Sequence, residues 1–174
     1  ILCSGRATKS ISQLQEMPKT YIGEITFGGS TPTYDADSEV DETAPTEHIT
    51  TDEIEKVLHE HFNGEISQVP PVYSALKVGG KRSYELARRG KAVELAARPV
   101  TIHSHQIISF ENNKLLISIT CSKGTYIRSI AHDLGKLLNS LAHLSGLERT
   151  AIGEYSSQKA LSPHKIDELL NAKD

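Results

Sequence analysis

The sequence predicts an α+β domain with a mainly antiparallel mixed sheet and flanking helices. Three stretches carry that expectation. "RPVTIHSHQIISFENNKLLISITCSKG" holds two extended runs around an Asn-containing turn, and the second run alternates Leu115, Ile117, Ile119 and Cys121 on one side. "TTDEIEKVLHEHF" begins with Thr50 as N-cap and Glu53 three residues later as capping-box partner. Ile54, Val57, Leu58, His61 and Phe62 then follow helical spacing. From Tyr126, a second helix pattern runs through Ile127, Ile130, Ala131, Leu134, Leu137 and Leu138, interrupted by Gly135, which weakens helix.

The remaining elements follow in chain order. Residues 8–16 suit a short helix, with Ile11 and Leu14 on one side. "KTYIGEITFGG" places Tyr21, Gly23, Ile25 and Phe27 on one face of a strand that ends at a glycine pair. Residues 30–48 are acidic and aperiodic and read as a long loop. Residues 67–91 combine consecutive prolines, a glycine pair suited to a hairpin, and a short helical piece near Ser83 to Arg89. That stretch reads as an excursion outside the core. "HLSGLERTAIGEYSS" is a further strand, and "SPHKIDELLNA" a last helix with Ser162 as cap and Pro163 at its first position.

With 174 residues, one core is the default; 37% hydrophobic and 24% charged residues fall in the globular range, and no apolar run is long enough to span a bilayer. A cytoplasmic chain with reduced, buried thiols at Cys3 and Cys121 is expected. "ILCSGRATKS" has no signal-peptide pattern; it lacks an initiator Met and reads as cut from a longer chain. The net charge of −3 hides two local biases. Asp35 to Glu55 carries nine acids and no Lys or Arg, whereas Lys77, Lys81, Arg82, Arg88, Arg89 and Lys91 are opposed by Glu85 alone. Either run, taken alone, is compatible with a solvated face.

Arg128 falls in the first turn of its helix, where unpaired backbone N–H groups and the dipole favour an anion. Lys123, Gly124 and Tyr126 gather around it, a combination suited to a carboxylate or a phosphate, or to an ordinary exposed turn. Tyr21 is a buried strand tyrosine or a ring placed to stack on a flat ligand. His59 and His61 diverge on a helix. His103 and His105 share a strand face, but no Cys or carboxylate at suitable spacing completes a tetrahedral set, so no metal is expected. No glycine-rich phosphate loop, nucleophile elbow or dinucleotide fingerprint occurs.

Several stretches together resemble the bacterial tRNA pseudouridine-55 synthases, the TruB family. They are "GRATK", "KTYIGEITFGGSTPTYDAD", "VPPVYSALKVGGKRSYELARRG", "RPVTI", "SKGTYIRSIAHDLG" and "LERTAIGEY". The resemblance implies a partial pseudouridine synthase catalytic domain over 1–174, with 69–98 as an RNA-gripping thumb segment and no C-terminal RNA-binding domain. It implies a cofactor-free enzyme, monomeric, that takes the T-arm of tRNA as partner and flips out one uridine. By resemblance Tyr21 stacks on the flipped base and is a candidate for proton abstraction, and Arg128 pairs with the catalytic aspartate. Tyr126 and Leu147 line the uracil pocket, Lys19 joins the substrate-binding residues, and Lys77, Lys81, Arg82, Arg88, Arg89 and Lys91 grip RNA. The family's "GTLDP" type motif with the nucleophile is absent, and Asp35, Asp37 and Asp133 lack its context. The expectation is an Arg128 facing a site whose carboxylate lies outside this sequence. The alternatives are a non-catalytic T-arm binder and a guide-RNA-dependent relative.

Overall fold

A computed structural model describes residues 1–78, 80–87 and 95–171. The chain opens with a 3-10 helix over Gly5–Ser10 that runs into α1 (Ile11–Glu16), so the expected helix over 8–16 is 3-10 up to Ser10 and α-helical from Ile11. The next elements are β1 (Lys19–Phe27), β2 (Gly29–Ser30), β3 (Glu42–Thr43), α2 (Thr51–His61), β4 (Gly64–Gln68), β5 (Lys77–Val78), β6 (Lys81–Arg82) and α3 (Ser83–Ala87). After them come β7 (Arg98–Glu111), β8 (Lys114–Cys121), α4 (Ile127–Leu137), β9 (Ala142–Ile152), β10 (Tyr155–Ser156) and α5 (Pro163–Asn171).

Six strands form one sheet in the order β10, β9, β1, β8, β7, β4, and every ladder in it is antiparallel. The expected α+β class is observed. The parallel component is a single bridge, Asp35 to Leu144, outside the named strands. The β7–β8 hairpin turns at Asn112 and Asn113, both left-handed (φ 51° and 60°), as a twist-matched two-residue hairpin loop requires.

Alternation decides which face of the sheet is buried. Ile25, Phe27, Ile102, Leu115, Ile117, Ile119 and Cys121 point to one side and are nearly inaccessible. α4 covers them with Ile127, Ile130, Ala131, Leu134 and Leu138, and α2 with Ile54, Leu58 and Phe62. The opposite face is polar. There Thr20 and Thr120 hydroxyls meet at 3.0 Å, and Glu24 accepts from Ser145 at 2.7 Å and from Lys114 at 3.2 Å. The α2 capping box forms as the sequence implies. The Glu53 N–H donates to Thr50 Oγ1 at 3.3 Å, and the Thr50 N–H to Glu53 Oε2 at 3.0 Å.

Several expectations are corrected. His61 and Leu137 have the helical spacing of their neighbours but are exposed, because each falls at the margin of its apolar stripe, while the next residues, Phe62 and Leu138, are buried. The acidic loop is partly ordered by the β2–β3 pair, Gly29 opposite Thr43 and Ser30 opposite Glu42. β4 was not expected. It joins the sheet edge by pairing with β7 from Gly64–Ile102 to Gln68–Arg98. The 67–91 excursion forms the expected β5–β6 hairpin, yet its base is core: Gln68 is 2% exposed and Ser83 fully buried. Both cysteines are free, but Cys3 is only half-buried. No helix among the described residues is long and apolar enough to cross a membrane.

One glycine sets how closely α4 lies on the sheet. A Cβ on Gly23 would meet Leu144 Cδ1 at 3.4 Å and Ile127 Cγ2 at 3.6 Å, ordinary packing distances beneath the first turn of the helix. At Gly135 a Cβ would fall 2.5 Å from the Ala142 nitrogen and 2.7 Å from the Leu141 carbonyl carbon. The residue that weakens the helix on propensity is therefore required by packing. Gly135→Ala gains at most about 1 kcal/mol of propensity, whereas displaced backbone costs about 1–3 kcal/mol or more. The expected outcome is a lower urea midpoint, opposite to that of an ordinary exposed helix glycine.

Candidate active site

The first turn of α4 is where the sheet, the acidic loop and the base of the 67–91 segment converge. Tyr126 caps the helix in extended conformation (φ −103°, ψ 108°). Its backbone is held by the side chain of Gln68, whose Nε2 donates to the Tyr126 carbonyl at 3.1 Å while Oε1 accepts the Tyr126 N–H at 2.8 Å. This matched amide pair supplies the partner that a neighbouring strand would otherwise provide. One turn further on, the Ser129 hydroxyl donates to the Val69 carbonyl at 2.8 Å.

Arg128 leaves this turn towards the loop. Its Nη1 donates to Asp35 Oδ2 at 2.8 Å and to the Thr33 carbonyl at 3.1 Å, and its Nη2 donates to the Tyr73 carbonyl at 3.0 Å. Arg128 therefore does not face an empty site: Asp35, 93 residues away, supplies a carboxylate from within the sequence, beside any that comes from outside it. Asp35 is fixed in turn. Its Oδ1 accepts from Thr33 Oγ1 at 2.6 Å and from the Asp37 N–H at 3.1 Å, and its carbonyl from Thr31 Oγ1 at 2.7 Å. The pair is mostly buried, with side chains 23% and 17% exposed. These bonds leave donors over, since a guanidinium carries five N–H groups.

A cavity of about 600 Å³ opens beside the pair, lined by Thr33, Asp35, Asp37, Tyr73, Tyr126 and Arg128 among others. Tyr21 lies on the helix-bearing face, opposite Ile119 and Arg149 and two residues from Gly23, but it is not among the lining residues. Leu147, paired with Gly23, is 50% exposed on that face. Tyr21 and Leu147 thus flank Gly23, which lies beneath Ile127 in the first turn of α4, the turn that also carries Tyr126 and Arg128. Lys19 does not join them. Its ammonium donates to the carbonyls of Gln15 and of Met17, the latter at 2.7 Å, and it lines a separate hollow with Lys123 and Arg149. Lys77, Lys81 and Arg82 lie on the β5–β6 hairpin, while Arg88, Arg89 and Lys91 fall outside the described residues.

Spacing gave no hint of a second contact behind this pair. The Tyr34 ring stacks on His132, with centroids 3.7 Å apart and planes 12° from parallel. Tyr34 is left-handed (φ 63°). Burial and the nearby Lys136 lower His132 to about 4, partly offset by Asp41. Burial raises Asp133 and also the Tyr34 phenol, which Asp133 raises further. Asp133 takes no part in the Arg128 bonds.

A family model described as TruB family pseudouridylate synthase (N terminal domain) matches residues 1–127. The chain is 48% identical over 170 residues to a Parabacteroides distasonis protein named tRNA pseudouridine synthase B, covering 98% of this chain and 72% of that protein. A Bacteroides fragilis protein of the same name is 44% identical over 174 residues, covering 100% of this chain and 74% of its own length. Among solved structures, one titled as a Cbf5-Nop10-Gar1 complex superposes at a TM-score of 0.68 with 25% identity. It covers 97% of this chain, which spans only 41% of that one. A second, an H/ACA RNP bound to a substrate RNA containing 2'-deoxyuridine, gives a TM-score of 0.63 at 22% identity and supports the fold alone.

Two outcomes test the geometry. Asp35→Ala leaves a largely buried guanidinium without its carboxylate. It should destabilise by about 1–3 kcal/mol in urea unfolding, below the 3–5 kcal/mol of a fully buried pair because water still reaches both groups. For His132, the folded state resists a proton that the unfolded chain takes up near pH 6.5, so stability falls as pH drops from about 6.5 towards 4. His132→Phe should remove about 1–3 kcal/mol of that pH dependence, read from unfolding midpoints across the interval.

Proposed function

The chain belongs to the TruB family of pseudouridylate synthases, and on that premise we propose that its parent protein converts uridine 55 in the T-loop of tRNA to pseudouridine. The observation that carries the reading is 44–48% identity, over essentially all of this sequence, to proteins named tRNA pseudouridine synthase B. The placing of Tyr21 and Leu147 beside Gly23, beneath the turn of α4 that carries Tyr126 and Arg128, supports it.

The isomerisation needs no redox partner. The N1–C1′ bond of the uridine breaks, the base turns, a C5–C1′ bond forms, and the C5 hydrogen is lost as N1 gains one. A base must first leave its stack, at a cost of a few kcal/mol that aromatic stacking offsets. Tyr21 takes that role in the proposal and is the candidate to receive the C5 proton. Tyr126 and Leu147 wall the uracil. The nucleophile is an aspartate supplied from outside this sequence. Arg128 reaches it with the donors not used on Asp35, Thr33 and Tyr73, and favours its ionised form by charge pairing. Lys77, Lys81, Arg82, Arg88, Arg89 and Lys91 hold phosphates of the T-arm, which gives affinity without reading sequence. Lys19 would reach substrate only by exchanging the two carbonyls that already hold its ammonium.

The 174-residue chain alone should release no tritium above background from tRNA labelled at uridine C5; release would overturn the assignment of the nucleophile. In the full-length protein, Tyr21→Phe should lower turnover about 100-fold with little effect on tRNA binding. Reversing Arg88 and Arg89 should do the opposite and flatten the salt dependence of binding. Equal effects of both changes on both parameters would count against this division of roles.

A further inference from the structure

Two consecutive residues of the acidic loop grip two consecutive turns of α4. Asp35 bonds Arg128, and Tyr34 stacks on His132, four residues further along the helix. Residues i and i+4 lie one above the other on a helix face, so the two contacts brace the loop against a single stripe of α4. On the far side, the Leu144 N–H donates to the Tyr34 carbonyl at 3.0 Å and the Ala36 N–H to the Leu144 carbonyl at 3.1 Å, which ties residue 35 to β9 from both flanks.

We propose that the Tyr34–His132 stack is what aims Asp35 at Arg128, making both rings positioning residues for the site. This rests on the functional reading above. The backbone calls for such a restraint. Tyr34 is left-handed, a conformation an aromatic residue holds only when its surroundings compensate, and the direction of the Asp35 side chain follows from that twist. Its N–H donates to the Thr31 carbonyl at 3.1 Å, closing the turn, but among the described residues no hydrogen bond holds Nδ1 of its partner's ring. Nδ1 of His132 is buried without a hydrogen bond, so packing and the stack fix this imidazole. Neither ring lines the 600 Å³ cavity, so both act through Asp35 and Arg128. The low His132 pKa keeps the stack uncharged at neutral pH.

The test uses the full-length protein with unmodified tRNA transcript, and two independent readouts. The first is kcat and KM. The second is the 15N signal of the Arg128 Nη groups, whose rotation is slow while they are bonded to Asp35. His132→Ala should lower kcat about tenfold or more, since small misplacements of catalytic groups are costly, and leave KM within about twofold. The slow Arg128 signals should be lost with it. His132→Phe, which keeps a flat ring, should restore both. Tyr34→Gly fits the left-handed backbone without strain and should behave as His132→Ala does, which covers the case in which that variant fails to fold. Slow Arg128 signals retained in the ring-deleted variants, turnover unaffected by them, or failure of His132→Phe to restore either readout would overturn the proposal. If the unaltered protein makes no pseudouridine, the functional reading fails and the Arg128 signals alone decide the stack.

Discussion

At the guanidinium of Arg128 three stretches of chain converge. The loop after β1 reaches it through Asp35 and the Thr33 carbonyl, the base of the 67–91 segment through the Tyr73 carbonyl, and α4 carries it. A lysine ammonium could not hold this arrangement, because only a planar fork serves acceptors in several fixed directions at once. The constraint runs outward from there. The helix must sit close on the sheet, which requires a glycine at 135 against Ala142. The turn itself must keep its register, which the Gln68 amide enforces by bonding both backbone groups of Tyr126.

Much of the scaffold was legible from local pattern, because local pattern is what decides it. The Leu115, Ile117, Ile119, Cys121 alternation can be satisfied only by one buried strand face, and Thr50 with Glu53 closes a capping box whatever surrounds it. β4 escaped notice since an edge strand with one buried residue carries little alternation, and its pairing is set by β7, more than thirty residues later. His61 and Leu137 differ for a related reason. Helical spacing puts both at the margin of an apolar stripe, and how wide a stripe is buried depends on the elements packed against it.

The site was readable in part. Arg128 at a helix start signalled an anion, but which carboxylate it meets depends on how the sheet brings residues 35 and 128 together. No spacing rule spans such a separation. The acidic run was equally opaque: Asp35 and Asp41 are engaged, by Arg128 and by the Ser30 hydroxyl, while Asp37 and Glu39 are exposed. Composition treats these acids alike, and folding separates them.

The sheet order also bears on how the chain is made. β1 is near the start of the sequence but near the middle of the sheet, between β8 (Lys114–Cys121) and β9 (Ala142–Ile152). Translation at about 5–20 residues per second delivers those neighbours only after several seconds to tens of seconds. Through that interval β1 lacks both of the neighbours it has in the sheet, and of the helices that cover Ile25 and Phe27 only α2 has been made. On the ribosome, the strand at the middle of the sheet therefore waits for both of its partners.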